Sequence, residues 1–161
     1  MTTIFLRCTL LAALSLEIAT SQELTIKGDI SASMVLKADD LAQMLHETAS
    51  IPDKDGTTSS YEGVPLREIL KKAGVPFGKD LRGKALASYI IAKAHDGYEV
   101  VFSLGELDAA FGNESILVAD KVGGKPLFEY QGPLRLVCPN DKAGARSVRM
   151  LETLEVVRLQ K

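Results

Sequence analysis

The stretch Gly132-Pro133-Leu134-Arg135-Leu136-Val137-Cys138-Pro139-Asn140-Asp141-Lys142-Ala143-Gly144-Ala145-Arg146-Ser147-Val148-Arg149 joins a strand to a basic loop. Residues Leu134 to Cys138 are β-rich, and the two-residue period of a strand puts Cys138 on the face of Leu134 and Leu136. That placement predicts a core sulfur; a reactive thiol would need exposure and a neighbour that lowers its pKa, and the basic loop beside it keeps that second reading open. In the loop, small residues let the backbone approach a ligand, while Lys142, Arg146 and Arg149 offer charge-assisted donors suited to a phosphate. A solvated basic turn balanced by Glu152 and Glu155 explains the same composition.

Outward from this stretch, strands and helices alternate in irregular order. On the N-terminal side, Ser115 to Ala119 reads as a strand, with Gly123-Gly124 turning the chain after it. Ala85 to Ala94 and Tyr98 to Phe102 are β-rich runs joined by the hairpin signal His95-Asp96-Gly97. Ser103-Leu104-Gly105-Glu106 is a capping box that predicts a helix with Leu107 and Phe111 inward. Leu66, Ile69, Leu70 and Ala73 form one apolar helical face, opened by Pro65 and stopped by Gly74 and Pro76. The breaker-rich Thr48 to Ser60 reads as a surface loop. Before it, Asp40 opens a helix expected to turn Leu41, Met44 and Leu45 to one side, ending at His46. Leu24 to Gly28, Met34 to Leu36 and Leu154 to Leu159 complete the strands. This order predicts an α+β fold with a mixed, barrel-like β core and short helices.

The 161 residues suit one domain, expected over 22–161. Ahead of it, Arg7 and the apolar run Cys8 to Leu16, followed by Ala19-Thr20-Ser21, read as a signal peptide over residues 1–21. Export to the periplasm or the extracellular space is therefore expected, with no transmembrane segment in the mature chain. Cys8 leaves with the signal, so Cys138 would be the single thiol and no internal disulfide could form. A net charge of −2 and the absence of Trp argue against a nucleic-acid partner, and any anion site must be local.

No metal site is expected, because His46, His95 and Cys138 are far apart in sequence and follow no ligand spacing. His95 beside Asp96 reads either as an oriented general base or as part of a turn, and no catalytic residue is assigned. His46 sits at a helix C-terminus with no evident partner. No Gly-x-Ser-x-Gly or Gly-x-Gly-x-x-Gly motif occurs.

Gly132 to Pro139 followed by Gly144 to Arg149 resembles the end of the molybdopterin-binding domain of sulfite-oxidase-type oxidoreductases. Tyr61-Glu62-Gly63-Val64-Pro65-Leu66, the helix through Ala73-Gly74-Val75, Asp96-Gly97-Tyr98 and Gly123-Gly124-Lys125-Pro126-Leu127 resemble further segments of that family in the same order. The resemblance implies molybdopterin as cofactor and carries Gly144, Arg146, Ser147 and Arg149 over as the residues that hold the pterin and its phosphate. Arg149 stands where the family usually has lysine. The family's molybdenum-ligating cysteine precedes the "G-V-P-L" segment, whereas Thr48 to Ser60 is shorter and holds no cysteine. The expectation is a noncatalytic or accessory domain that binds a small anionic ligand or a pterin. Two alternatives are a molybdopterin-dependent oxidoreductase with unusual metal ligation and a protein-interaction domain, with a protein partner, whose pocket has closed.

Overall fold

The computed structural model describes residues 23–53, 55–112 and 114–159; the expected signal peptide lies outside them. The strands are β1 (Glu23–Gly28), β2 (Met34–Lys37), β3 (Glu47–Pro52), β4 (Thr58–Pro65), β5 (Ser88–Ala94), β6 (Glu99–Ser103), β7 (Leu117–Val122), β8 (Lys125–Pro126), β9 (Arg135–Val137) and β10 (Leu151–Arg158). The short helices are α1 (Ala38–Ala42), α2 (Leu66–Lys72) and α3 (Leu104–Leu107). One sheet runs β2-β1-β10-β5-β6, and the other runs β3-β4-β7-β8 with β9 also paired to β7. Among the described residues only β1 and β10 pair in parallel. The architecture is α+β, and its mixed β core is divided between these two sheets.

Period-two burial sets the packing. Along β5, Ser88, Ile90, Ala92 and Ala94 are buried while Tyr89, Ile91 and Lys93 are not. Leu24 and Ile26 of β1, Leu154 and Val156 of β10, Val64 of β4 and Leu136 of β9 join the same core, which α2 closes with Leu66, Ile69 and Leu70. Behind the second sheet lies a smaller cluster of Tyr61, Leu117, Ala119 and Val137. The β5–β6 hairpin turns through Gly97 at φ +84°.

Three expectations need correction. Thr48 to Ser60 is not a loop; it contributes most of β3 and the start of β4, paired from Glu47↔Gly63 to Pro52↔Thr58, and only the turn between them is irregular. Its polar look is that of an edge hairpin with one wet face. The first helix begins at Ala38 and stops at Ala42, so Leu41 is buried but Leu45 is exposed. The third helix ends at Leu107; Asp108 accepts backbone N–H bonds from Gly78 and Ala110, and the chain turns out before Phe111, which is exposed. Among the described residues no helix is long and apolar enough to cross a membrane.

Candidate functional site

Strand β9 has protein on both faces, and that decides the site. Leu134, Leu136 and Cys138 point into the main core as the alternation requires, and Val137 belongs to the smaller cluster on the other face. Arg135 shares that face and is only 9% exposed. Its Nη1 donates to the Tyr61 hydroxyl at 2.7 Å and to Gln131 Oε1 at 3.1 Å, and its guanidinium lies 4.8 Å from the Tyr61 ring centroid. Nε is buried with no hydrogen-bond partner. No carboxylate of the described residues comes within ion-pair distance. Burial lowers the Arg135 pKa most; Tyr61, Tyr130 and the Asp53 carboxylate oppose this, and the like charge of Arg149 lowers it further.

Arg135 lines a cavity of about 840 Å³ between the β3–β4 hairpin, the segment before β9 and the basic loop after it. Gly144, Ser147, Arg149 and Lys142 line it too. Arg149 stands 5.5 Å from the Tyr130 ring centroid, and neither it nor Lys142 has an ion-pair partner among the described residues. Tyr130 stacks on Phe128 at 5.8 Å, and both rings are exposed at the rim. The carboxylates in the wall are already engaged. Asp53 accepts from Ser59, Asp55 accepts from Thr57, and Asp141 is held by Arg146. Three cations with no ion pair among the described residues thus face one space, two of them close enough to repel, while Asp53 in the same wall attracts Arg135 from beyond ion-pair distance.

Arg146 is placed differently from its three companions. Its Nε and one terminal nitrogen form a fork on Asp141 at 2.9 and 2.7 Å, and the other reaches Glu106 at 2.9 Å. The guanidinium also lies 5.0 Å from the Phe102 ring centroid. This clamp fastens the basic loop to α3, and Asn140 adds a bond to Glu114. Gly144, Ser147 and Arg149 come together at the cavity, whereas Arg146 is spent on holding the loop in place.

Of the other candidates, Cys138 touches the cavity wall and the histidines lie elsewhere. Cys138 is buried; its N–H donates to Ser147 Oγ at 3.1 Å and its thiol to Arg146 O at 3.6 Å. Burial foremost, with the Asp141 charge, pushes its pKa up to about 12, so it keeps its proton at neutral pH. His95 is exposed and pairs with Glu152, while Asp96 accepts the Tyr98 N–H as a turn residue does. His46 has a partner after all. Its Nε2 lies 3.3 Å from Asp120 Oδ2 on β7, and Nδ1 meets Met44 O at 3.0 Å. Gly78 to Lys84 has the glycine and lysine spacing of a phosphate loop, but Ala85 follows and the segment forms two 3-10 turns.

A buried, partly unsatisfied guanidinium with a second beside it suits the phosphate-bearing part of molybdopterin. The metal end is not matched. The thiol in the cavity wall, Cys138, is packed into the main core, and no group of three or more His, Cys, Asp or Glu among the described residues is placed to hold a metal.

Sequence reading missed Arg135. Its neighbours Tyr61 and Gln131 are 74 and 4 residues away, and only the pairing of β4, β7 and β9 joins them.

No curated protein matches the chain. Among solved structures, the sulfane dehydrogenase SoxCD from Paracoccus pantotrophus is similar, with a TM-score of 0.66 at 20% identity over 84% of this chain. The match spans 38% of that relative's chain, and at this identity the likeness is one of fold. The family model of the oxidoreductase molybdopterin binding domain matches residues 47–161, which include β3, β4, β9 and the basic loop. This chain belongs to the oxidoreductase molybdopterin binding domain family.

Proposed function

We propose that the chain is an exported binding domain that holds a small anionic ligand, a pterin phosphate on family grounds, and performs no molybdenum redox chemistry. One observation carries this reading: Arg135 is buried with Nε unpartnered, has no ion-pair partner among the described residues, and faces a cavity shared with Arg149. An uncompensated buried charge costs a fold on the order of several kcal/mol, so an arginine in this position points to an anion that compensates it. Lys142 adds charge, and the Ser147 hydroxyl and the open backbone at Gly144 complete the wall. Tyr130 and Phe128 give a planar ring a face to lie against. The noncatalytic part rests on the absence of a cysteine from Thr48 to Ser60, where the family resemblance places the molybdenum ligand, and on the packing of Cys138 into the main core. The cavity is open, which favours a ligand over the closed-pocket alternative.

The test is purification from an exporting host that makes the molybdenum cofactor, with N-terminal sequencing and analysis for metal and pterin. A mature start near Gln22 and a retained pterin phosphate without stoichiometric molybdenum are expected. Stoichiometric molybdenum, with an oxidoreductase activity lost in Cys138→Ser, would establish the catalytic alternative instead. An unprocessed N-terminus would remove export.

A further inference from the structure

The basic loop has open space on more than one side. A second cavity of about 280 Å³ is lined by Gly144, Ser147 and Arg149, which also line the large one. The loop is therefore the divide between the two, and Arg149 is a charge reachable from both. A Cβ built on Gly144 would meet no atom within 4 Å, so the space over the divide is open. The β5–β6 hairpin supplies the rest of the small cavity through Ala94, Asp96 and Tyr98. The Tyr98 hydroxyl donates to Ala145 O at 3.0 Å, which sets the half-exposed ring against the loop. Asp96 uses one oxygen for the Tyr98 N–H.

We propose that the site takes a phosphodiester whose phosphate sits at Arg149, with one ring in the large cavity and a second, hydroxyl- or amine-bearing group across Gly144 against Tyr98 and Asp96. This rests on the ligand-binding reading above and adds the class of ligand. The volume suits one further ring or sugar, since whole small-molecule sites begin at about 300 Å³. The lining suits a donor and not a second anion. Arg149 is the one cation in it, and the Asp96 carboxylate would repel a further phosphate while accepting from a hydroxyl.

Charge makes the test decisive. A phosphomonoester carries close to two negative charges at neutral pH and a diester one, so attraction to Arg135, Lys142 and Arg149 alone would favour the monoester. A tighter diester requires contacts made by its second group. The full chain is titrated by calorimetry with a pterin phosphomonoester and with the same phosphate esterified to the 5′-hydroxyl of a ribonucleoside. The diester is expected to bind about tenfold more tightly. Tyr98→Ala and Asp96→Asn are expected to remove that advantage and leave the monoester affinity within about twofold. Tyr98→Phe keeps the ring and loses the bond to Ala145, so it should retain most of the advantage. A monoester that binds as well as the diester overturns this inference and leaves the ligand-binding reading standing. Binding of neither probe overturns both.

Discussion

Arg135 and Cys138 lie three residues apart, face opposite ways and are both buried, and each has a chemical consequence. For Cys138 the consequence is a pH dependence. The thiol ionises at its ordinary value of 9.0 when the chain is unfolded and is held protonated to about 12 when it is folded. Between those values the unfolded state binds fewer protons, so stability falls as pH rises from about 9 to about 12. Thermal melts across that window should show a steeper loss for the wild type than for Cys138→Ala, and parallel curves would contradict a buried, protonated thiol. The direction of Cys138 was legible because apolar neighbours at a spacing of two mark a core face. That of Arg135 was not. A charge opposite a core face normally meets water, and only the second sheet, assembled from residues far off in sequence, converts that face into an interior.

At the scale of elements, the family's "G-V-P-L" segment acquires a physical meaning. Strand β4 shifts register against β7 between Glu62 and Gly63, and a Cβ on Gly63 would come within 2.2 Å of Val118 O and 2.4 Å of Ala119 Cα. Those are backbone atoms in a central pairing and cannot swing aside. Gly63→Ala should lower stability by about 3 kcal/mol or prevent folding, as read by denaturant unfolding, and a wild-type midpoint would show that the pairing has slack. The glycine was legible as a motif, but its cause lies in a cross-strand approach that no local pattern displays. The basic loop gives the converse case. Its composition was read correctly as cationic, yet Arg146 looked equivalent to Arg149 until Asp141, Glu106 and Phe102 were placed around it. As the clamp, Arg146 should protect the loop from trypsin. Arg146→Ala is expected to speed cleavage after Lys142 severalfold, followed by mass spectrometry. Arg146 also holds the Asp141 carboxyl below its ordinary range, so in the wild type the clamp should persist as the pH falls, and amide hydrogen exchange of the loop, corrected for the intrinsic rate, should show it lost only below the usual carboxylate range. Loop exchange that accelerates already within that range would contradict the clamp.

For the whole molecule, the proposed anion site would link ligand binding to the stability of the fold through one charge. The chain carries a net charge of −2, so no bulk field draws an anion in, and binding must come from the converging side chains. Arg135 is a liability without the anion and an asset with it. Arg135→Met keeps much of the side-chain volume and removes the buried charge, so the ligand-free variant should be more stable than the wild type by about 1 kcal/mol, or about 2–4 °C in Tm. It should also lose most of its affinity for a pterin phosphomonoester. A ligand that binds only the folded state adds RT ln(1 + [L]/Kd), which reaches about 1 kcal/mol near five times Kd and about 2.7 kcal/mol at a hundredfold excess. The order of stability should therefore invert on titration: the variant melts higher at first, and the wild type overtakes it at a few times Kd. Sodium chloride at matched ionic strength should not produce the crossing, because general screening acts on both proteins alike. A variant that is less stable without ligand would mean that Arg135 holds Tyr61 and Gln131 for structural reasons. If the two melting curves shifted in parallel with ligand, the anion would be bound without Arg135.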